Sequence, residues 1–366
     1  MLIFSNFAIY SECLMTSKNK LNIIAGPCSV ESQEQLLTST QALCSLPQVG
    51  LIRAGVWKPR SRPGGFEGLG EQALIWMQEL QNSDLRMSDG RPVRFCCEIA
   101  RPEHVDLCLR HNIKNAWIGA RTTTNPFMVE EICKALRGTS MTVMVKNPIC
   151  PDVKLWVGAI ERIQKVCKEQ VVAIHRGFYT YDNHGFRNAP LWDIALDMRR
   201  HLAETPIFCD PSHMAGNRLL IEPLVHMALQ LAYDGLFIEV HHAPDQALTD
   251  AQQQITPREL LQLLQNIEGI NTNTGDTLDN ALAMLRQQID NIDHDLLHLL
   301  AQRMTISRQI AQVKYQHEAS AYQPTRWQQV LDNRLQQASN EGLDQHFVKE
   351  LMEKIHAESL RIQIEK

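Results

Sequence analysis

Eight short apolar runs constrain this 366-residue chain more than any other feature. They are LNIIAGPCS (21–29), GLIRAG (50–55), RFCCEIA (94–100), NAWIGAR (115–121), TVMVKNP (142–148), VVAIHRGF (171–178), PIFCDPSH (206–213) and GLFIEVHH (235–242). Each is nearly all apolar, the pattern of a strand buried on both faces. Most of the segments between them, such as EQALIWMQEL and EEICKALRG, are helix-sized. Strand and helix alternating eight times predict an α/β fold, a (β/α)8 TIM barrel. The chain is long enough for such a barrel, typically ~250 residues, plus one smaller domain.

The polar residues of these runs gather at their C-terminal ends: Cys28, Arg53, Glu98, Arg121, Lys146, Arg176, His213 and Glu239. Active sites of (β/α)8 barrels form at that face. Arg53, Arg121, Lys146 and Arg176 converge there, with Lys58 and Arg60 from the loop that follows the second run. Cations crowded into one cleft repel unless an anion joins them. Guanidinium forks suit phosphate and carboxylate oxygens. A phosphorylated and carboxylated substrate is therefore expected. The Gly-rich loop KPRSRPGGFEGLG (58–70) is of a kind that folds over phosphate, which alone is a weak signal.

Cys28, His213, Glu239 and Asp250 offer a thiolate, an imidazole and two carboxylates. That mixture suits one divalent Mn, Fe, Co or Zn better than Mg or Ca, which prefer oxygen-only shells. Two alternatives stand beside it: plain core residues, or Cys28 as a nucleophile activated by His175 or His213.

Composition excludes some function classes. The net charge of -5 and the lack of a basic block give no reason to expect nucleic acid. No run of roughly 18 apolar residues occurs, so no membrane span is expected. Ten cysteines without zinc-ribbon spacing read as reduced thiols of a cytoplasmic protein. Residues 1–16 carry no Lys or Arg, which argues against a signal peptide. They are expected to be a disordered extension, or an upstream start ahead of Met15.

GPCSVES (26–32), RAGVWKPRS (53–61), IGAR (118–121), KNP (146–148), HRGF (175–178), DPSH (210–213) and EVHHAPDQALTD (239–250) together resemble 3-deoxy-D-arabino-heptulosonate 7-phosphate (DAHP) synthase. The resemblance is to the compact type I form related to KDO 8-phosphate synthase, which is the rival reading. It implies condensation of phosphoenolpyruvate with erythrose 4-phosphate, the entry to the shikimate pathway. Carried over by motif, it makes Cys28, His213, Glu239 and Asp250 metal ligands. Arg53, Lys58, Arg121, Lys146 and Arg176 would hold phosphoenolpyruvate. Lys58, Pro59, Arg60 and Ser61 would receive erythrose 4-phosphate; the family more often has Thr at the last position. Lys58, Glu98, His175 and Asp250 are the candidate catalytic residues of the barrel, with Glu98 near the attacking water.

Beyond a barrel at 17–267, residues 268–276 read as a polar Gly/Asn linker. In the helical region 277–366, Leu285, Ile289, Ile292, Leu296, Leu299, Arg303, Ile306, Ile310 and Val313 follow at 4,3 spacing. This is one amphipathic helix of about 40 residues, followed by helical patterns at 324–338 and 344–364. Three such helices do not close on themselves, so a second copy is expected to cover the stripe. Arg303 stands where an apolar residue belongs, and a buried cation needs an anion. Lys314, eleven residues on, shares its face. Arg286 lies roughly 100° away and would serve another site, such as the partner's. A plain dimerisation coiled coil is the bland alternative.

LRQQIDNIDHDLLHLLAQR (285–303), Lys314, GLDQHFV (342–348) and SLRIQ (359–363) resemble the all-helical chorismate mutase, an intertwined dimer of three-helix chains. The resemblance makes Arg286, Arg303, Lys314, Arg326, Ser359 and Gln363 chorismate- or prephenate-binding residues, with Arg303, Lys314 and Gln363 catalytic. One departure matters: Trp327 follows Arg326 where the family usually has Glu, which puts a hydrogen bond to the substrate hydroxyl in doubt. The implied whole is a bifunctional homodimer joined through its helical domain, with a higher oligomer not excluded. Prephenate would be both product and effector. In the alternative, the helical domain only binds a regulatory ligand or dimerises.

Overall fold

The computed structural model describes residues 21–58, 64–181, 183, 185–268 and 276–364. The expected N-terminal extension, the candidate residues Pro59, Arg60 and Ser61, and positions 269–275 of the expected linker lie outside them. The chain divides into two compact units, Met1–Asn271 and Thr272–Lys366.

The first unit is a closed, all-parallel barrel of eight strands in sequence order. The strands are β1 (Asn22–Gly26), β2 (Val49–Arg53), β3 (Phe95–Ile99), β4 (Asn115–Ile118), β5 (Thr142–Lys146), β6 (Val172–His175), β7 (Ile207–Cys209) and β8 (Gly235–Glu239). Each lies inside one of the eight apolar runs. Closure pairs β1 with β8, placing Gly26 opposite Glu239. The connecting helices start where side chains satisfy their free N–H groups: Ser32, Asn125 and Asp152 cap the helices that follow them. Gly26, at φ +155, is required where β1 meets β2, since a Cβ there would lie 2.1 Å from the Arg53 carbonyl oxygen.

Apolar side chains fill the core between barrel and helices. Near the mouth the barrel interior becomes polar: Arg53 lies 4.5 Å from the Phe237 ring centre and 5.2 Å from that of Trp117. Aromatic faces thus receive a cation that is 1% exposed. Every described cysteine is a free thiol.

The second unit has three helices, Asp276–Gln316, Pro324–Asn340 and Gln345–Ile364. The last two each pack against a neighbour in this unit, but the stripe from Leu285 to Val313 is bare: its apolar residues are 43% to 62% exposed. No described helix is long and apolar enough to cross a membrane.

Candidate active sites

A cavity of about 510 Å³ opens at the C-terminal ends of the strands, lined by Lys58, Glu98, Arg121, Lys146, Arg176, Arg187, Asn188, His213 and Asp250. Donor atoms of Cys28, Glu239 and Asp250 lie within 4.8 Å of one another. The Cys28 thiol donates to Asp250 Oδ2 at 3.2 Å, and its backbone N–H donates to Gln254 Oε1 at 2.9 Å. His213 Nε2 is 3.7 Å from Glu239 Oε1, while its Nδ1 is 2.9 Å from Asp210 Oδ2. The ring thus has one nitrogen anchored and the other turned to the cluster, the arrangement that orients a ligating histidine. Glu239 is held by Arg53 at 3.0 Å and by Gln253, which donates at 2.6 Å.

The donor set fits a divalent cation, because it already gathers positive charge. Lys58 Nζ lies 2.8 Å from Cys28 Sγ and 3.9 Å from Asp250 Oδ2, and Arg187 lies 3.1 Å from Asp250 Oδ1. Burial, with Glu239 and Asp250 nearby, pushes the Cys28 thiol well above its usual range. Burial would raise Asp250 too, but Lys58, His213 and Arg187 outweigh it and hold the carboxyl low. A thiolate beside two carboxylates is therefore unstable without a cation in contact.

The substrate side of the cleft has its own pairings. Lys146 Nζ donates to Asp210 at 2.8 Å, yet burial still lowers its pKa. Burial also lowers Arg176, to about 10. Arg176 donates to Asn188 Oδ1 at 2.6 Å, and Asn188 holds the His213 carbonyl at 2.6 Å. Glu98 accepts from Trp117 Nε1 at 3.1 Å. Gly119 makes room for it: a Cβ there would sit 2.3 Å from Glu98 Oε1.

One candidate is displaced. His175 is completely buried outside the cleft, bonded through Nδ1 to the Tyr233 hydroxyl at 2.8 Å and ringed by Trp156, Phe178 and Trp192. Successive side chains of a strand point to opposite faces. Arg176 lines the cleft, so its neighbour faces the helices. Burial depresses the His175 pKa to about 3. It is not among the residues that line the cleft. Conversely, the sequence reading passed over Asp210, Arg187, Asn188 and Gln253 as site residues. The polar stretch NHGFRNAP after β6 was the signal for two of them.

In the helical unit, Arg303 donates to Ser359 Oγ, and Lys314 Nζ donates to Gln363 Oε1 at 3.2 Å and to the Ala321 carbonyl at 2.6 Å. Arg303, Lys314, Ser359 and Gln363 thus meet within one chain. Burial, with Arg334 nearby, lowers the Arg303 pKa. Arg326 and Arg286 are exposed. No hydrogen bond or ion pair draws either into the cluster among the described residues. Trp327 stacks on His356 at 3.9 Å between ring centres.

These two sites coincide with two family matches. Residues 7–274 match the DAHP synthetase I family, and residues 285–364 match chorismate mutase type II. The chain belongs to the DAHP synthetase I family and carries a C-terminal chorismate mutase type II domain. Among curated relatives, it is 29% identical over 254 residues to phospho-2-dehydro-3-deoxyheptonate aldolase of Thermotoga maritima, covering 67% of this chain and 68% of the relative. Its tail is 32% identical over 87 residues to 4-amino-4-deoxychorismate mutase of Streptomyces venezuelae, covering 24% of this chain and 84% of the relative. A crystal structure of the Thermotoga maritima aldolase (DAHP synthase) superposes with TM-score 0.59 at 26% identity, over 69% of this chain and 70% of that one.

Proposed function

We propose that this chain condenses phosphoenolpyruvate with erythrose 4-phosphate in the barrel and rearranges chorismate to prephenate in the helical unit. The observation that carries the first activity is the meeting, in one cleft, of the Cys28–Glu239–Asp250 donor set with Lys58, Lys146 and Arg176. Arg53, Lys58, Arg121, Lys146 and Arg176 supply the charge that a phosphate and a carboxylate require. Pro59, Arg60 and Ser61, which follow Lys58 in the chain, would receive erythrose 4-phosphate in this reading. One divalent cation (Mn, Fe, Co or Zn) held by Cys28, His213, Glu239 and Asp250 would supply Lewis acidity at the aldehyde oxygen. The enol carbon of phosphoenolpyruvate forms the new C–C bond, water adds at the adjacent carbon, and phosphate leaves with the C–O bond. Glu98, which accepts from Trp117, would orient that water. Asp250, or a water on the cation, would carry the proton for the aldehyde side.

In the helical unit the reaction is intramolecular, so orientation and charge suffice. Arg303, Lys314 and Gln363 bind the carboxylates and ether oxygen, Ser359 supports Arg303, and Arg326 would also bind the substrate. Arg286 serves the site of a second copy, which would cover the bare stripe. Prephenate or chorismate bound there would also inhibit the barrel, by biasing its access or position. A second reading, in which the tail only senses ligand, is favoured by Trp327 alone. The cytoplasm is the expected compartment.

The test is a substrate assay on the purified chain. Erythrose 4-phosphate should be consumed with phosphoenolpyruvate, and chorismate should yield prephenate. Use of arabinose 5-phosphate instead would select the KDO 8-phosphate reading. Chorismate binding without turnover would select the sensor. DAHP formation indifferent to added prephenate and chorismate would remove the feedback role.

A further inference from the structure

The helical unit holds a polar atom that none of its contacts explains. His356 Nε2 is shut off from solvent and has no hydrogen-bond partner among the described residues. Leaving such a group unsatisfied is costly, and in native proteins it asks for a reason. The ring is not loose: it lies flat on Trp327, 3.9 Å between centres and 7° between planes, with Tyr322 at 6.1 Å. His356 stands three residues before Ser359 on the same helix, so the two share a face. Ser359 is the residue that receives the Arg303 guanidinium.

Chemistry narrows what this nitrogen does. Burial, then the charges of Arg303 and Lys314, disfavour the imidazolium form. In its neutral form the ring carries a lone pair on one of its nitrogens. The neighbouring acceptors are already engaged: Gln363 Oε1 by Lys314, and Ser359 Oγ by Arg303. An anionic ligand drawn in by the two cations satisfies them with its carboxylates. Its hydroxyl is then a donor in need of an acceptor. The chain places an indole at 327, which cannot accept, and that indole instead fixes the ring of His356.

We propose that His356, clamped against Trp327, accepts the hydrogen bond from the hydroxyl of the ligand held by Arg303 and Lys314. This rests on the reading of the tail as a chorismate site and identifies the residue that recognises the substrate's hydroxyl. Trp327 is a positioning residue acting through His356.

The test uses the full chain with chorismate and prephenate as probes. His356→Phe keeps a flat ring over Trp327 and removes the acceptor. It is expected to lower kcat/KM for chorismate roughly 10-fold, to weaken prephenate binding by calorimetry to a similar degree, and to leave the thermal midpoint unchanged. His356→Gln, which returns an acceptor oxygen, is expected to recover part of the loss; a purely structural histidine would give no such rescue. His356→Leu serves where Phe disturbs the fold, with the same loss expected. Wild-type kcat/KM in the folded Phe or Leu variant would overturn the proposal and leave the chorismate site standing. A wild-type chain that neither converts chorismate nor binds prephenate would overturn both.

Discussion

The barrel cleft and the helical site both gather cationic side chains, with opposite degrees of closure. In the barrel, Arg53, Asp210 and Glu239 are no more than 1% exposed and every one of them is paired. Opposite charges fixed at about 3 Å in a dry interior are pre-arranged before substrate arrives. In the helical unit, Arg303 and Lys314 are half-buried and the apolar stripe beside them is bare. The barrel assembles its centre from one chain because eight strands surround it. Three helices enclose much less, and the proposed second copy would supply the missing cover. In the proposed reading, the barrel site takes a cation among its ligands, whereas the tail works with side chains alone, Arg286 coming from a second copy.

The largest expected effect breaks one site and spares the other. Cys28→Ala should lower DAHP formation by roughly a thousandfold or more, since it removes a ligand whose cation stabilises charge worth several kcal/mol. Chorismate rearrangement in the same preparation should stay within about twofold. If DAHP formation survives, the ligand set is wrong. The mirror experiment is Arg303→Ala. Removing one preorganised donor to developing charge should cost roughly 100- to 1000-fold in prephenate formation, with the barrel rate unaffected.

Two smaller effects sharpen the picture of the cleft. Gly119→Ala would drive a methyl group into Glu98, so kcat for DAHP formation should fall about a hundredfold through misplacement of that carboxylate. An unchanged rate would show that Glu98 is a bystander. His175→Asn should barely alter kcat but lower stability by about 1–2 kcal/mol, through the weakened bond to buried Tyr233. Its pH signature has a definite sign. The folded-state pKa of about 3 lies below that of the unfolded chain, near 6.5. Unfolded chain therefore binds the extra proton between these values, and His175 destabilises the fold as pH falls through about 6.5. The Asn variant should lose less stability than wild type between neutral pH and pH 4 in denaturant titrations.

Much of this was legible in the sequence because it follows from periodicity. The eight apolar runs located all eight strands, and the 4,3 spacing located the long helix. The charged C-terminal ends of the runs pointed to one cleft. The sequence placed His175 at the strand end beside Arg176, but a single step along a strand turns a side chain from cleft to core, and His175 is buried away from the cleft lining. Asp210, Gln253 and Arg187 were missed because loops and caps carry no period. Their contacts appear only in the fold, where Asp210 meets His213 and Lys146, Gln253 meets Glu239, and Arg187 meets Asp250. His356 was hidden differently, as one residue on an otherwise ordinary amphipathic helix.

The central claim is that two chemically independent sites share this chain, one requiring a metal and one not. The most direct measurement follows both products from a single preparation, before and after EDTA and again after added Mn. The account predicts that DAHP formation disappears with EDTA and returns with Mn, while prephenate formation does not change. DAHP formation that persists in EDTA, or loss of both activities together, would contradict it.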